Sequence, residues 1–200
     1  MKITAIVGSY RKGHIIDSAV DEILASAAAE GAQVAKIYLT DTHIEFCTNC
    51  RVCTQNPDGM RGSCPLADEM SGILDQLETS DGIILASPMN FWTVTAITKR
   101  FIERLVCYAY WPWGNAGPKM RKLPKTKRAV VVASSAAPAV VARLCTKLVK
   151  TLKQVANLMG AKTVGVLFIG LSARQKDQEL GKGARRKAAL LGKKLAAPTS

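Results

Sequence analysis

Short apolar segments alternate five times with segments of helical spacing along this chain of 200 residues. The apolar segments predict strands over 3–7, 33–39, 81–87, 129–133 and 163–169. The amphipathic segments predict helices over 15–30, 66–79, 93–108, 140–159 and 177–195. Strict alternation with nearly continuous apolar strands indicates a parallel sheet covered by helices on both faces. Five such units are too few for an eight-stranded barrel, so the sequence predicts a doubly wound α/β fold.

The predicted sheet is of the flavodoxin-like type, with five parallel strands in the order 2-1-3-4-5. The length and a hydrophobic content of 48% suit a single domain over residues 1–200. Three segments stand out from the alternation: a cysteine-rich insertion loop at 40–65, a loop rich in Gly, Pro and aromatic residues at 109–126, and a basic C-terminal helix and tail at 172–200. Ligands of such sheets bind beyond the carboxyl ends of the strands, so the loops after strands one, three and four are expected to form the site.

The chain has no apolar run near the roughly 18 residues of a membrane span, and its first apolar run ends in a glycine turn rather than in a signal-peptide pattern. We therefore expect a cytoplasmic protein with no membrane partner. In that reducing compartment the six cysteines are expected to be metal ligands, redox thiols or core residues.

Charge is distributed unevenly. Residues 1–118 have a net charge of −4, whereas residues 119–200 have a net charge of +17. A basic half of this kind steers anionic substrates such as NADPH, or nucleic acid. We expect most of these lysines to form a solvated face with a basic tail.

The connection from the first strand to the first helix, residues 8–14, has the character of a phosphate-binding turn. Backbone N–H groups in such a turn and at the helix N-terminus favour an anion. Ser9 adds a hydroxyl, and Arg11 and Lys12 add positive charge. The glycine spacing matches neither the dinucleotide fingerprint nor the ATP-binding P-loop, which favours a mononucleotide. The alternative is an ordinary connection with solvated basic residues.

The loop after the third strand combines Pro88, Asn90 and two aromatic residues. Pro88 is expected to end the strand and leave the following backbone N–H groups free for the polar edge of a flat heterocycle, and Asn90 offers both a donor and an acceptor. Phe91 and Trp92 either stack on that ring or pack against a neighbouring loop or subunit. After the fourth strand, the small residues of 134–138 allow a ring to approach closely.

Four cysteines lie close together in the insertion loop. Cys47, Cys50 and Cys53 are separated by two residues each, and Cys64 follows after ten more. Thiolates at this spacing are typical of an iron–sulfur cluster. Four thiolates also suit zinc, and a third interpretation is that these cysteines line an acceptor pocket.

The aromatic segment 108–114 holds four of the eleven aromatic residues of the chain. It is expected to form either an apolar wall over the bound ring or a subunit contact. The two remaining cysteines, Cys107 and Cys145, have apolar neighbours on predicted helices and are expected to be core residues.

Four stretches carry a resemblance to a known family. They are Gly8-Ser9-x-Arg11-Lys12, Cys47-x-x-Cys50-x-x-Cys53, Asp81-Gly82-Ile83-Ile84 to Ser87-Pro88, and Lys99-x-Phe101-Ile102-x-Arg104. Together they make the chain resemble the NADPH-dependent FMN reductase family, including its iron–sulfur flavoprotein branch, over nearly its full length.

This resemblance implies FMN, with its phosphate on the first loop and its isoalloxazine ring between the loops after strands three and four. It implies electron transfer from NAD(P)H to a small acceptor, namely a quinone, a flavin or a metal ion, in a homodimer or homotetramer. Backbone N–H groups around Met89 would stabilise the reduced ring, and no general acid or base is named because the flavin carries the chemistry. The implied cofactor-binding residues are Ser9, Arg11, Lys12, His14, Ile15, Ile16, Pro88, Met89, Asn90, Phe91, Trp92, Thr93, Ser134 and Ser135.

Two further classes of function remain open. The first is an electron carrier for a protein partner, in which FMN acts with a four-iron four-sulfur cluster. Its ligands would be Cys47, Cys50, Cys53 and Cys64, although the gap before the last of them is longer than is usual in the iron–sulfur branch. The second is a flavin-less protein that binds anions or nucleic acid. Nucleic acid is not the expected partner, because the chain lacks a pattern of interleaved aromatic and basic residues on a strand.

The first loop departs from the family pattern. Members commonly have Ser, Asn or Thr where this chain has His14, Ile15 and Ile16. Two contacts to phosphate would be lost, each worth about 1.5–3 kcal/mol, and Asp17 adds a like charge. Because Arg11 and backbone N–H groups offset part of this loss, the sequence predicts weakened FMN affinity rather than loss of the site.

Overall fold

The computed structural model describes residues 1–121 and 123–197, so residue 122 of the aromatic loop and residues 198–200 of the basic tail lie outside it. The strands are β1 (Lys2–Val7), β2 (Gln33–Tyr38), β3 (Gly82–Pro88), β4 (Ala109–Tyr110), β5 (Lys119–Met120), β6 (Lys127–Ser134) and β7 (Ala161–Ile169). The helices are α1 (Ile15–Ala29), α2 (Met70–Glu78), α3 (Ala96–Arg104), α4 (Ala139–Cys145), α5 (Leu148–Leu158) and α6 (Lys182–Ala196). Within these described ranges, no helix is both long enough and apolar enough to cross a membrane.

The main sheet is parallel and has the order β2-β1-β3-β6-β7. This confirms the predicted order 2-1-3-4-5, since β4 and β5 form only a separate two-residue antiparallel pair. Val7 pairs with Ala86, and Pro88 pairs with Ser134. The carboxyl ends of β1, β3 and β6 therefore finish side by side, which places the three loops that follow them at one edge of the sheet.

Two apolar cores, one on each face, explain why the central strands are apolar without interruption. On one face, Ile83 and Leu85 pack with residues of α2, α3 and α5. On the other face, Ile84 and Ala86 pack with residues of α1 and α6. Successive side chains of a strand point to opposite faces, so residues 83–86 of β3 are buried alternately in one core and the other.

The predicted helix over 140–159 is wrong in one respect, because the structure divides it into α4 and α5. Thr146 adopts an extended conformation after α4, and its hydroxyl donates a hydrogen bond of 2.7 Å to the Ala142 carbonyl. A side-chain hydroxyl that binds a carbonyl of the last turn competes with continuation of the helix. The break leaves Cys145 exposed, so its expected place in the core is wrong, whereas Cys107 is buried as expected.

Three other helices are shorter than predicted. α2 begins at Met70, because residues 66–69 are drawn into contacts of the insertion loop described below. α3 begins after Thr95, whose hydroxyl accepts a hydrogen bond from the Thr98 N–H as an N-cap, and a 3₁₀ turn follows α3. The last helix begins only at Lys182.

Two glycine substitutions in α6 test how this helix packs against α1. A Cβ atom at Gly192 would lie 2.3 Å from the Ile23 carbonyl oxygen and 3.1 Å from the Ala27 nitrogen. We expect Gly192→Ala to lower the free energy of unfolding by about 2 kcal/mol, since overpacking against backbone outweighs the gain in helix propensity. Gly183→Ala, in the same helix with open space around it, should raise that free energy by about 0.5 kcal/mol. Urea denaturation measures both, and equal effects would contradict the packing.

Candidate functional site

The end of β1 is held against the start of α3. A Cβ atom at Gly8 would lie 1.8 Å from Thr98 Oγ1, so only glycine allows this approach. The Gly8 N–H donates to the Ala86 carbonyl at 2.8 Å, and the Thr95 hydroxyl donates to the Gly8 carbonyl at 2.6 Å. These contacts fix the loops after β1 and β3 beside each other.

A cleft of about 290 Å³ opens at this edge of the sheet. Its wall is formed by the first loop, the start of α1 and the loops after β3, β6 and β7. The predicted residues that line it are Ser9, Arg11, His14, Ile15, Ile16, Pro88, Met89, Asn90, Ser134 and Ser135. None of its lining residues is acidic, whereas Arg11 and Lys176 are both basic, so the cleft suits an anionic ligand.

Several lining residues were missed by the sequence analysis. They are Tyr10, Thr95 and, in the loop after β7, Ser172, Ala173, Gln175, Lys176 and Gln178, whereas Ala136 belongs to the expected 134–138 loop. Arg11 joins this last loop to the first one, because its guanidinium donates to the Lys176 carbonyl at 2.5 Å. The predicted strand order could have identified them. It places the fifth strand, now β7, beside the fourth, now β6, so the loop after β7 lies at the same edge of the sheet.

Lys12 does not line the cleft. Its ammonium pairs with Asp41 at 2.5 Å and lies 4.8 Å from the centre of the Tyr38 ring. In this structure an exposed carboxylate therefore holds the Lys12 ammonium outside the cleft. Ser9 is buried, and its hydroxyl accepts from the Arg11 N–H at 3.2 Å, which shapes the turn.

The backbone after Pro88 is less free than expected. The Met89 N–H donates to the Ser134 carbonyl at 2.7 Å, and the Asn90 N–H donates to the Thr93 carbonyl at 2.9 Å. The expectation that these two N–H groups are free to bind a heterocycle is corrected, because both already donate to carbonyl groups of the chain. The Met89 bond also joins the loop after β3 to the end of β6.

Phe91 and Trp92 form the tip of a tight turn outside the cleft, with Thr93 at its end. Asn90 and Thr93 exchange backbone hydrogen bonds, and the φ angles of Phe91 and Trp92 are 45° and 69°. Two successive positive φ values define a type I′ turn, which normally carries Asn-Gly. The aromatic rings are 94% and 63% exposed, so no burial within the chain compensates the backbone strain.

This turn gives a test. The double substitution Phe91→Asn, Trp92→Gly should raise the free energy of unfolding of the ligand-free protein by about 1 kcal/mol, because Asn-Gly adopts the turn with less strain. Urea denaturation at several protein concentrations measures this. A lower, concentration-dependent stability would contradict the prediction and would place the two rings in a subunit contact.

Asp17 is a buried anion at the start of α1. Its carboxylate accepts hydrogen bonds from the Gly13 N–H at 2.6 Å, from Lys36 at 2.9 Å and from the Tyr38 hydroxyl at 2.9 Å. Burial raises the pKa of Asp17, but these bonds outweigh it and hold the pKa below its ordinary value. Its charge is therefore paired with Lys36, which reduces the repulsion of a phosphate, although it also occupies the Gly13 N–H.

The insertion loop is closed by a buried ion pair. Arg104, on α3, pairs with Asp68, and both side chains are almost fully buried. The same guanidinium donates to the Glu45 carbonyl at 2.8 Å and to the sulfur of Cys64 at 3.4 Å. Asp68 in turn accepts the Glu45 N–H at 2.8 Å. Residues on both sides of the three-cysteine motif are thus tied to one side chain.

All four clustered cysteines line one small chamber beside Arg104; they are Cys47, Cys50, Cys53 and Cys64. No three His, Cys, Asp or Glu side chains in residues 1–121 and 123–197 converge on a single metal-binding point, which is what tetrahedral zinc requires. The thiolates of an iron–sulfur cluster need not converge in this way, because each binds a different iron. The chamber of about 10 Å³ holds roughly one water molecule, so a cluster would require the loop to open.

The aromatic segment packs on this loop. The Arg51 guanidinium lies 3.8 Å from the centre of the Trp111 ring and 4.1 Å from that of Trp113. It also donates to the Trp111 carbonyl at 2.6 Å. Tyr108 is buried, with its hydroxyl donating to Glu78 at 2.6 Å. The segment thus supports the cysteine loop, an arrangement that neither sequence interpretation included.

The ion pair gives a second test. We expect Arg104→Met to lower the free energy of unfolding by about 3 kcal/mol, because it leaves the Asp68 carboxylate buried without its partner. Amide hydrogen exchange should become faster throughout residues 45–68. Lys99→Gln is the matched control, since Lys99 forms only an exposed pair with Glu103 on the same helix. Equal exchange in the two variants would contradict this role of Arg104.

The fold is that of a flavodoxin-like α/β protein, with a cleft lined by basic and no acidic side chains at the carboxyl ends of its central strands. A family model described as NADPH-dependent FMN reductase matches residues 1–173. The chain therefore belongs to the NADPH-dependent FMN reductase family, as the four sequence stretches indicated.

Curated relatives match a shorter region. The chain is 34% identical over 112 residues to an iron-sulfur flavoprotein of Archaeoglobus fulgidus, which covers 56% of this chain and 49% of that protein. It is 35% identical over 104 residues to an iron-sulfur flavoprotein of Methanocaldococcus jannaschii, which covers 52% and 51%. The match to these curated relatives thus spans about half of their length.

Solved structures share the fold at low sequence identity. The azoreductase AzrA superimposes with a TM-score of 0.71 at 14% identity, covering 97% of this chain and 100% of that one. An NAD(P)H:quinone oxidoreductase from Methanothermobacter marburgensis gives a TM-score of 0.69 at 13% identity, covering 98% and 97%. An FMN-dependent NADH-azoreductase from Bacillus anthracis, solved in complex with FMN, gives a TM-score of 0.70 at 15% identity. The superposition covers 98% of this chain and 100% of that one.

Proposed function

We propose that the protein is an FMN-dependent NAD(P)H oxidoreductase that passes electrons to a small acceptor. The observation that carries this proposal is the cleft at the carboxyl ends of β1, β3 and β6. It has cationic side chains, no acidic lining residue and a helix N-terminus at one end. Membership of the FMN reductase family supports the identity of the ligand.

The phosphate of FMN would bind at the first loop. Arg11 lines the cleft and supplies the charge, and His14 lies 3.3 Å from its guanidinium. The side chains of Ile15 and Ile16 are buried, so their contribution is their backbone N–H groups, which the first turn of a helix leaves without partners. The loss of the side-chain contacts common in the family remains the reason to predict weakened affinity.

The ring would lie over the joined loops after β3 and β6. FMN held there would supply the chemistry of hydride and electron transfer between NAD(P)H and an acceptor. Pro88 and Met89 offer apolar contact, Asn90 offers an amide, and Ser134 and Ser135 form a small-residue floor. The chain's own contribution is therefore position and exclusion of water, and the acceptor is a quinone, a flavin or a metal ion.

Substitutions of the two basic residues of the first loop test the phosphate site, because Arg11 lines the cleft and Lys12 does not. Arg11→Gln should weaken FMN binding by about 10- to 100-fold, because it removes a charge-assisted contact to the phosphate. Lys12→Gln should change the affinity less than threefold, since Lys12 pairs with Asp41 instead. Quenching of FMN fluorescence on titration with protein measures both constants.

Oxidation of NADPH by the FMN-loaded protein, with a quinone as acceptor, tests the activity itself. A protein that binds no FMN at micromolar concentration would contradict the proposal, and so would equal losses in the two variants. Bound FMN without NADH or NADPH oxidation would leave the cofactor site standing and reject the oxidoreductase.

Assembly and location complete the proposal. We expect a homodimer or homotetramer, which light scattering of the loaded protein measures. The six cysteines all lie in the described ranges and none is in a disulfide, in keeping with a reducing cytoplasm.

A second candidate is an iron–sulfur flavoprotein that carries electrons to a protein partner. The specific observation is that four thiols line one chamber beside the buried Arg104 guanidinium, which would balance part of the negative charge of a thiolate-bound cluster. Curated relatives carry the name iron-sulfur flavoprotein.

Anaerobic purification tests this candidate. It predicts about four irons per chain and a broad visible absorbance, as a four-iron cluster requires. Cys50→Ser should lose both, whereas Cys145→Ser, an exposed cysteine on α4, should keep both. Iron-free protein, or an unchanged spectrum of the Cys50 variant, would reject the cluster while leaving the FMN proposal intact.

A further inference from the structure

The edge of the molecule formed by β6, β7 and α5 carries positive charge without any acidic residue. Residues 119–176 contain 13 Lys and Arg and no Asp or Glu. The FMN reductase activity proposed above uses none of this charge except Lys176 at the cleft. A segment with this excess of cationic residues contributes a positive potential to the surface around it.

A shallow groove concentrates this charge. Its volume is about 430 Å³, and it is lined by Arg143, Thr146, Val149, Lys150, Lys153, Gln154 and Asn157. A second open depression shares Gln154 and Asn157 and extends the track to Arg121 and Lys125. Within residues 1–121 and 123–197, the side chains of Arg143, Lys150 and Lys153 form no hydrogen bond or ion pair. The groove follows α5, whose eleven residues span about 16 Å.

An apolar surface adjoins this cationic groove. Val140, Val141 and Leu144 on α4 are 71%, 49% and 81% exposed. Because α4 starts at Ala139, directly after the loop that follows β6, this surface lies between the cleft and the groove. Exposed aliphatic residues bordered by uniform charge are typical of a protein interface, with an apolar centre and a polar rim.

We propose that α4 and the cationic groove dock an acidic redox protein, which takes electrons from the cleft as an alternative to the small acceptor. This proposal rests on the proposed oxidoreductase function. The hydride of NAD(P)H supplies two electrons and a proton. One electron would pass to each of two acceptor molecules, and the proton would be released to water. Docking beside the cleft would bring the acceptor to the side where electrons leave.

Two other occupants fit the surface less well. A second copy of this chain in a two-fold contact would place the same cations opposite one another, because such an interface is self-complementary. Nucleic acid would not use the aliphatic residues, and residues 139–158 contain no aromatic side chain on which bases could stack. An acidic protein satisfies both the charge and the apolar centre.

Binding to an acidic plant-type [2Fe–2S] ferredoxin at low salt tests the proposal by calorimetry. The triple variant Arg143→Gln, Lys150→Gln, Lys153→Gln should weaken binding at least tenfold. The control variant Lys182→Gln, Arg186→Gln, Lys187→Gln, which removes equal charge from α6, should weaken it less than threefold. Leu144→Ser should weaken ferredoxin binding at least threefold, and it should leave binding of a 20-base-pair DNA duplex unchanged.

Several results would overturn the proposal. These are no binding of ferredoxin to the wild-type protein, equal losses in the two triple variants, or binding of the DNA duplex or of phosphatidylserine vesicles at least as tight as that of ferredoxin. A change of molecular mass in the Leu144 variant would also overturn it, since the surface would then be a contact between copies. NADPH oxidation with a quinone, measured on the same samples, reports separately on the oxidoreductase.

Discussion

The buried pair of Arg104 and Asp68 is the interaction on which the irregular part of the molecule depends. Between β2 and α2 the chain has only one 3₁₀ turn, and a loop of that length needs an anchor to hold a defined shape. The anchor comes from α3, a helix that also contacts the end of β1 through Thr95 and Thr98. The same helix therefore holds both the cysteine loop and the end of β1 beside the cleft in place.

Several polar groups around the cleft already have partners within the chain. The Asp17 carboxylate accepts a hydrogen bond from the Gly13 N–H, and the Ser134 carbonyl accepts one from the Met89 N–H. The Asp41 carboxylate forms an ion pair with the Lys12 ammonium. Each bond stiffens the wall of the site and removes a group that the ligand could use. The groups that still line the cleft include Arg11, Lys176 and the Asn90 amide, beside the first turn of α1 and several small residues. The cleft is therefore a stiff-walled site whose basic side chains suit an anionic group.

The five parallel strands followed from the sequence, because strands buried on both faces have a nearly continuous apolar pattern. Their order followed from the doubly wound class that this alternation indicates. The rest depended on contacts between distant residues. The stacking of Arg51 on Trp111 joins segments some sixty residues apart, and the break at Thr146 depends on one hydroxyl in an otherwise helical pattern. The positive φ of Phe91 could not be anticipated, since bulky residues seldom adopt it.

The guanidinium between two indole rings has a consequence for observing this protein. Arg51 lies between Cys50 and Cys53 in the sequence, so any opening of the cysteine loop must also move it relative to Trp111 and Trp113. Those are two of the three tryptophans of the chain, and the third is exposed on the turn after β3. The intrinsic emission of the molecule is therefore expected to report on opening of the cysteine loop.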